Sequence, residues 1–115
     1  MKLHLYLNSE TQPFMHCRHA KTTLQRMKGL LGTSGLADGE GLLIEPCSSV
    51  HTFGMRYVLD IVYLDRYQKV IKCVANMAPA RMSMAFNAKF VVEMAAGMIE
   101  ATGIKPGDRL EWKPC

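Results

Sequence analysis

V-L-D-I-V-Y-L, residues 58–64, is the stretch that decides the fold of this 115-residue chain. Six of its seven side chains are β-branched, aromatic or leucine, which is typical of a strand in a sheet. The D-R-Y-Q segment that follows has turn character, and the next run, 69–75, again fits a strand. We therefore predict a β-hairpin over residues 58–75.

Short runs of alternating apolar and polar residues, separated by turn residues, extend over the rest of the sequence. This spacing is typical of an antiparallel β-sandwich or barrel. We predict a mainly β, single-domain fold over residues 1–115, with about seven or eight short strands and one short α-helix. Besides the hairpin, we expect strands at 2–7, 14–20, 41–45, 89–95 and 109–113, a strand or loop at 50–54, and a crossing loop at 76–88.

The clearest helix signal begins at Thr22. The Thr22 hydroxyl and the Gln25 side chain have the spacing of a capping box, in which each side chain accepts a hydrogen bond from the other residue's backbone N–H. We predict a helix over 22–31, longer than two turns, and a single helical turn over 97–103. Apolar residues at helical spacing give the longer helix one apolar face, formed by Leu24, Met27 and Leu31.

Composition is that of an ordinary globular protein, with 49% hydrophobic and 21% charged residues. The net charge of +4 comes from single basic residues in strand-like alternation, whereas nucleic-acid binding uses a basic stripe interleaved with aromatic residues. The opening M-K-L-H-L-Y-L-N-S-E is too short and polar for a signal peptide, and no apolar run approaches transmembrane length. We expect a cytoplasmic protein that binds neither nucleic acid nor membranes.

The cysteine and methionine patterns argue against a metal site. Met82-Ser83-Met84, with Met77 nearby, is similar to thioether-rich Cu(I) sites, but a lone M-x-M lacks a third soft ligand. Nucleotide-binding and hydrolase signatures are missing from the sequence. We predict no metal and no cofactor. The cysteines have no C-x-x-C pair and no zinc-like spacing, so we expect four reduced thiols: Cys17, Cys47, Cys73 and Cys115.

Two acids stand inside apolar strands. Asp60 shares a strand face with Val62 and Leu64, and Glu93 shares one with Val91. A buried carboxylate must be paired, so we predict that Asp60 forms an ion pair with an arginine, Arg26 or Arg81 before Arg56. The alternative is that Asp60 and Glu93 work together as a catalytic acid and base.

Cys47 and His51 are a possible nucleophile and base. A fully extended backbone separates them by roughly 13 Å, too far for one hydrogen bond or one metal ion. The pair therefore requires a turn at Ser48 and Ser49. Our preferred interpretation is a packed thiol and a hydrogen-bonded histidine.

Motifs from residue 23 onward resemble one family. They are T-x-x-R-x-x-G-L-L-G (23–32), G-L-L-I-x-P-C-x-x-V-H-T-F-G-M-R-Y-x-L-D-I-V-Y-L-D (41–65), P-x-R (79–81), V-x-E-x-A-A-G (91–97) and G-I-K-P-G-D (103–108). Their order and spacing resemble the domain-of-unknown-function 192 family, also called the uncharacterised protein family 0127. The resemblance implies a compact, mainly β domain with a short helix and no agreed activity. It marks as shared positions Arg26, Gly29, His51, Met55, Asp60, Glu93 and Gly97.

Three functions compete. The leading prediction is a binding module with a polar cleft around His51 and Asp60 that takes a small ligand or a peptide. The second is a hydrolase-like enzyme that uses Cys47 with His51, or the two acids, and the third is a structural accessory protein. The predicted cleft consists of Arg26, Cys47, His51, Met55, Asp60, Arg81 and Glu93.

Overall fold

A computed structural model describes residues 2–115, apart from the side chains of Thr23, Leu24 and Met27. The protein is mainly β, and the described residues form nine strands and two short helices. In chain order the elements are β1 (Lys2–Leu7), β2 (Met15–Ala20), α1 (Thr23–Lys28), β3 (Glu40–Ile44), β4 (Ser49–His51), β5 (Leu59–Leu64), β6 (Val70–Met77), β7 (Met82–Met84), β8 (Phe90–Ala95), α2 (Met98–Thr102) and β9 (Leu110–Pro114).

Seven strands form one sheet in the order β6-β5-β8-β3-β2-β1-β9, and β4 pairs with β7 in a separate ribbon. The predicted hairpin is the antiparallel β5–β6 pair. The sheet is mixed rather than purely antiparallel, because β2 and β3 run parallel. A crossover connection is what parallel neighbours require, and the segment that contains α1 supplies it.

The sheet curls without closing into a barrel. Its two edge strands, β6 and β9, approach each other at an isolated bridge between Lys69 and Arg109. The Val70 N–H donates to the Asp108 carbonyl at 2.8 Å beside this bridge. Opposite ends of the sheet therefore touch at one corner.

Each face of the sheet carries its own apolar cluster, because successive side chains of a strand point to opposite sides. One cluster, here called the Val62 face, contains Val62, Leu64, Val92 and the β1 leucines Leu3 and Leu5. The other, here called the Ile61 face, is covered by α1 and the β4–β7 ribbon. Its buried members include Leu30, Leu42, Ile44, Val50, Leu59, Ile61, Tyr63 and Val91.

The predicted helix is shorter than expected. Both bonds of the capping box are present, with the Gln25 N–H donating to Thr22 Oγ1 at 3.1 Å and the Thr22 N–H donating to Gln25 Oε1 at 3.2 Å. The helix ends after Lys28 because Gly29 has φ +50°, which a helix cannot continue. The predicted apolar face lies partly outside the described residues, at Leu24 and Met27. The single turn predicted over 97–103 is confirmed as α2.

The predicted crossing loop over 76–88 contains a strand that sequence reasoning missed. β7 is only three residues long and forms by pairing with β4, so the partner strand and not local propensity creates it. Met82 and Met84 on β7 are 72% and 68% exposed, while Met77 ends β6 in the buried Ile61-face cluster.

Candidate ligand pocket

A pocket of about 140 Å³ lies between α1, the segment around β4 and the Ile61 face of the sheet. Five of the seven residues predicted for the cleft line it: Arg26, Cys47, His51, Met55 and Glu93. Apolar walls come mainly from the Ile61-face cluster, at Leu30, Ile44, Val50 and Leu59.

Glu93 has apolar residues opposite it on both adjoining strands. It lies on β8, where its cross-strand partners are Leu42 on β3 and Ile61 on β5. The residue is 6% exposed, and among the described residues nothing forms a hydrogen bond or an ion pair with its carboxyl group. Burial raises the pKa of Glu93 to about 7, because an apolar environment disfavours the charged form. Glu93 is thus a carboxyl group that changes protonation near neutral pH.

Two basic side chains reach the same pocket from α1. Arg26 is half-buried, and its Nη1 donates to the Pro46 carbonyl at 3.2 Å. Lys28 is exposed and also lines the pocket. Both side chains bring positive charge to the pocket that Glu93 also lines. Lys28 was not among the residues predicted for the cleft.

Cys47 and His51 line the pocket without forming a catalytic pair. The Cys47 thiol donates to the Ser49 carbonyl at 3.1 Å, and the His51 ring stacks on Phe53 with centroids 5.5 Å apart. Among the described residues, no hydrogen bond joins the Cys47 thiol to the His51 ring. Burial raises the pKa of Cys47, which favours the unreactive thiol over the nucleophilic thiolate.

Asp60 lies on the opposite face of the sheet from the pocket. It pairs across strands with Met94, a member of the Val62-face cluster, whereas Glu93 pairs with Ile61. The two acids therefore point away from each other, and the predicted acid–base pair between them is wrong. Cross-strand register places them on separate faces, and a single sequence does not reveal that register.

The predicted arginine partner of Asp60 is also wrong. Asp60 Oδ1 accepts a hydrogen bond from the Asn76 N–H at 2.9 Å. Its Oδ2 accepts from the N–H groups of Gly97 at 3.1 Å and Ile99 at 2.8 Å. The first turn of a helix offers N–H groups that have no partner within the helix, and Asp60 satisfies them at the start of α2. Asp60 therefore anchors α2 to the sheet.

Arg81, the other residue predicted for the cleft, does not line the pocket. Its side chain is exposed, and its backbone joins the loop before β7 to β4. The Arg81 N–H donates to the Thr52 hydroxyl at 2.9 Å, and the Arg81 carbonyl accepts from the Thr52 N–H at 2.9 Å. The Thr52 hydroxyl in turn donates to the Ala78 carbonyl at 2.7 Å. This fully buried threonine holds one wall of the pocket in place.

Within residues 2–115, the described side chains include no cluster of three or more histidine, cysteine or acidic residues that could hold a metal ion. All four cysteines are free thiols. In the same part of the chain, neither helix is long and apolar enough to cross a bilayer.

Comparison with known proteins adds a family and a fold. Residues 6–112 match the model of the domain-of-unknown-function 192 family, described as "Uncharacterized ACR, COG1430". A UPF0127 protein from Pyrococcus furiosus is 36% identical over 66 residues, a match that spans 56% of this chain and 56% of that relative's length.

Two solved structures share the fold. A protein of unknown function from Novosphingobium aromaticivorans matches with a TM-score of 0.80 and 25% identity, over 96% of this chain and 84% of its own. A protein from Sinorhizobium meliloti described as a "putative transcription regulator" matches with a TM-score of 0.83 and 21% identity, over 96% and 92%. At that identity the second likeness shows the fold alone.

Proposed function

Because this chain belongs to the domain-of-unknown-function 192 family, whose description assigns no activity, we propose its function from the pocket: it is a binding module for a small polar ligand. Glu93 carries this proposal. It is a buried carboxyl group that lines the pocket and has no partner among the described residues. Burying a polar group without a hydrogen bond costs free energy, and a ligand that bonds to Glu93 would recover that cost.

The size of the pocket favours a small ligand over a peptide. A volume of about 140 Å³ is far below the roughly 300–1,000 Å³ of pockets that bury drug-sized molecules. A peptide would instead need an extended groove or a free strand edge. We therefore narrow the earlier prediction of a small ligand or a peptide to the small ligand.

The competing functions have weaker support. A Cys47 nucleophile lacks an adjacent base, and burial raises its pKa rather than lowering it. An acid–base pair of Asp60 and Glu93 is ruled out by their opposite faces. A structural accessory protein has no need of a buried carboxyl group without a partner. The description as a transcription regulator belongs to the Sinorhizobium protein. The sequence of this chain lacks the basic stripe, interleaved with aromatic residues, that nucleic-acid binding uses. A cytoplasmic location stays a prediction.

Thermal denaturation with a panel of small polar compounds at pH 7 tests the proposal. We expect at least one compound to stabilise the wild-type protein, by about 2.7 kcal/mol at a concentration 100 times its Kd. The same compound should stabilise the Glu93→Gln variant much less. Glu100→Gln is the matched control, because Glu100 is exposed on α2 away from the pocket, and it should respond like wild type. If every compound acts equally on wild type and Glu93→Gln, the pocket is not a binding site.

A further inference from the structure

The pocket presents opposite charges at different depths. Glu93 projects from the centre of the sheet and is buried, whereas Arg26 is half-buried and Lys28 exposed on α1. The Arg26 guanidinium is held beside the pocket wall by its bond to the Pro46 carbonyl. The pocket is therefore lined by two more exposed positive charges and one buried carboxyl group.

This arrangement disfavours ligands with one kind of charge. A simple cation would be repelled by Arg26 and Lys28 at the entrance. A simple anion would bond well to the guanidinium, but its apolar end would leave the Glu93 carboxyl group without a partner. A ligand with both charges pairs with Arg26 and Glu93 together.

Resting on the proposed binding function, we infer that the pocket takes a small zwitterion, with its carboxylate on Arg26 and its ammonium group on Glu93. A guanidinium binds a carboxylate through two parallel N–H donors, and a buried carboxylate is most stable with a hydrogen-bonded cation. The charged Lys28 side chain adds attraction for the carboxylate end. The chemical class is therefore an α-amino acid or a compound of similar size with the same two groups.

The pocket walls limit the rest of the ligand. Ile44, Val50 and Leu59 are apolar and line the pocket, so they accept a short hydrocarbon side chain and offer no partner to a polar one. The cavity volume of about 140 Å³ is well below that of pockets that bury drug-sized molecules. A small side chain fits this space and a bulky aromatic one does not.

Three probes separate the contributions of the two charges. Alanine carries both groups, propionate lacks the ammonium group, and ethylamine lacks the carboxylate. In calorimetric titrations at pH 7, we expect alanine to bind the wild-type protein at least about tenfold more tightly than either analogue, since a buried ion pair or charged hydrogen bond contributes more than about 1.4 kcal/mol. In Glu93→Gln, the preference for alanine over propionate should disappear.

Proton exchange gives an independent measurement. An ammonium group binds only the ionised form of Glu93, so alanine binding should release protons at pH 7 and strengthen roughly five- to tenfold between pH 6 and pH 8. Titrations in two buffers of different ionisation enthalpy measure the proton count, and Glu93→Gln should release none. Affinity that weakens as pH rises would contradict the inference, because it would mean that the ligand binds protonated Glu93.

The outcomes distinguish this inference from the proposed function. If propionate binds as tightly as alanine and both bind Glu93→Gln more weakly than wild type, the zwitterion is wrong while the binding pocket stands. The same holds if another panel compound binds and alanine does not. If Glu93→Gln binds every compound as tightly as wild type, alanine included, both the zwitterion and the binding pocket are wrong. If no panel compound binds at all, the binding function itself is wrong, and the inference is overturned with it.

Discussion

Asp60 and Glu93 are two buried carboxyl groups on neighbouring strands with opposite surroundings. Three backbone N–H groups bond to Asp60, whereas Glu93 lies between Leu42 and Ile61 without a polar partner among the described residues. One acid therefore contributes to stability, while the other lowers it whenever it is ionised. Functional sites often retain groups that lower the stability of the folded protein, and Glu93 is such a group at the pocket.

Replacing Glu93 with glutamine should change how stability depends on pH. The pKa of Glu93 is raised from 4.5 to about 7, so between those values the folded state binds more protons than the unfolded state. Stability contributed by the neutral form is present below pH 4.5 and is lost as the pH rises to 7, by about 3 kcal/mol. Urea denaturation of wild type and Glu93→Gln from pH 4 to 8 should show this loss in the wild type only. Parallel curves would mean that Glu93 is solvated or paired.

Asp60→Asn should destabilise the protein by about 1–3 kcal/mol. The two carboxylate oxygens of Asp60 together accept three N–H groups, and an asparagine has only one oxygen, so its NH₂ group would face an N–H donor. Chemical denaturation measures the loss, and amide exchange at Gly97 and Ile99 should locate it at the start of α2. Unchanged exchange at these amides would show that Asp60 does not anchor α2.

Residue chemistry in the sequence identified much of the candidate pocket. Arg26, Cys47, His51, Met55 and Glu93 were predicted together and do line one pocket, while their ligand binding stays a prediction. Asp60 was wrongly predicted to line the same cleft as Glu93. The alternation of side chains along β5 can be predicted from the sequence, but the register between β5 and β8 cannot. The hydrogen-bond partners of Asp60 are backbone N–H groups, which the pattern of side chains in the sequence does not indicate.

At the scale of elements, Gly41 determines how closely three strands pack. It lies on β3 between β2 and β8, and a Cβ built there would stand 2.5 Å from Met15 Cε and 2.6 Å from the Glu93 carbonyl oxygen. The second contact involves backbone, which cannot move aside without shifting β8. This glycine therefore also fixes the position of the strand that carries Glu93.

Gly41→Ala should cost about 1–3 kcal/mol or more through overpacking. Gly35→Ala is the matched control, because its φ is not in the left-handed region and a Cβ there meets nothing within 4 Å. Thermal denaturation of both variants should show a large loss for the first and almost none for the second. Equal melting temperatures would mean that β3 and β8 are separated more widely than the structure shows.

Strands with clear alternation were predictable, and elements that depend on a distant partner were not. The runs at 2–7 and 58–64 match β1 and β5 within one residue at each end. β7 exists only because β4 lies beside it, and α1 is short because Gly29 takes a positive φ. The antiparallel prediction missed the parallel β2–β3 pair, although a strand–helix–strand order favours such a crossover.

For the whole molecule, the corner where β6 and β9 meet depends on a small polar network. Asn8 Nδ2 donates to Asp108 Oδ1 at 3.1 Å, and the Arg109 N–H donates to Asn8 Oδ1 at 2.8 Å. The Lys105 N–H donates to Asp108 Oδ2 at 3.0 Å. These bonds join the loop after β1 to the turn before β9, its neighbour in the sheet. They therefore hold in place the segment whose backbone contacts Lys69 and Val70 at the β6 end of the sheet.

Asp108→Asn should loosen this corner. The hydrogen bond from Asn8, followed by that from Lys105, holds the pKa of Asp108 below its ordinary value of 3.8. The stability that Asp108 contributes is therefore present above pH 3.8 and lost as the pH falls through the lowered pKa. In the variant, amide hydrogen exchange at Lys105 and Arg109 should be faster near neutral pH. Asp38→Asn, at an exposed position, should leave these rates unchanged.

Trp112 is an intrinsic fluorescent probe of one face of the sheet. It is the single tryptophan in the chain, and its ring lies edge-on against Phe90 with centroids 4.9 Å apart, packed on the Val62-face cluster. The pocket opens on the other face of the sheet, so its occupation should leave the emission spectrum of Trp112 unchanged while denaturation shifts it to the red. Fluorescence thus measures unfolding free of interference from ligand. A spectral change on ligand addition would reveal mechanical coupling through the sheet, from one cluster to the other.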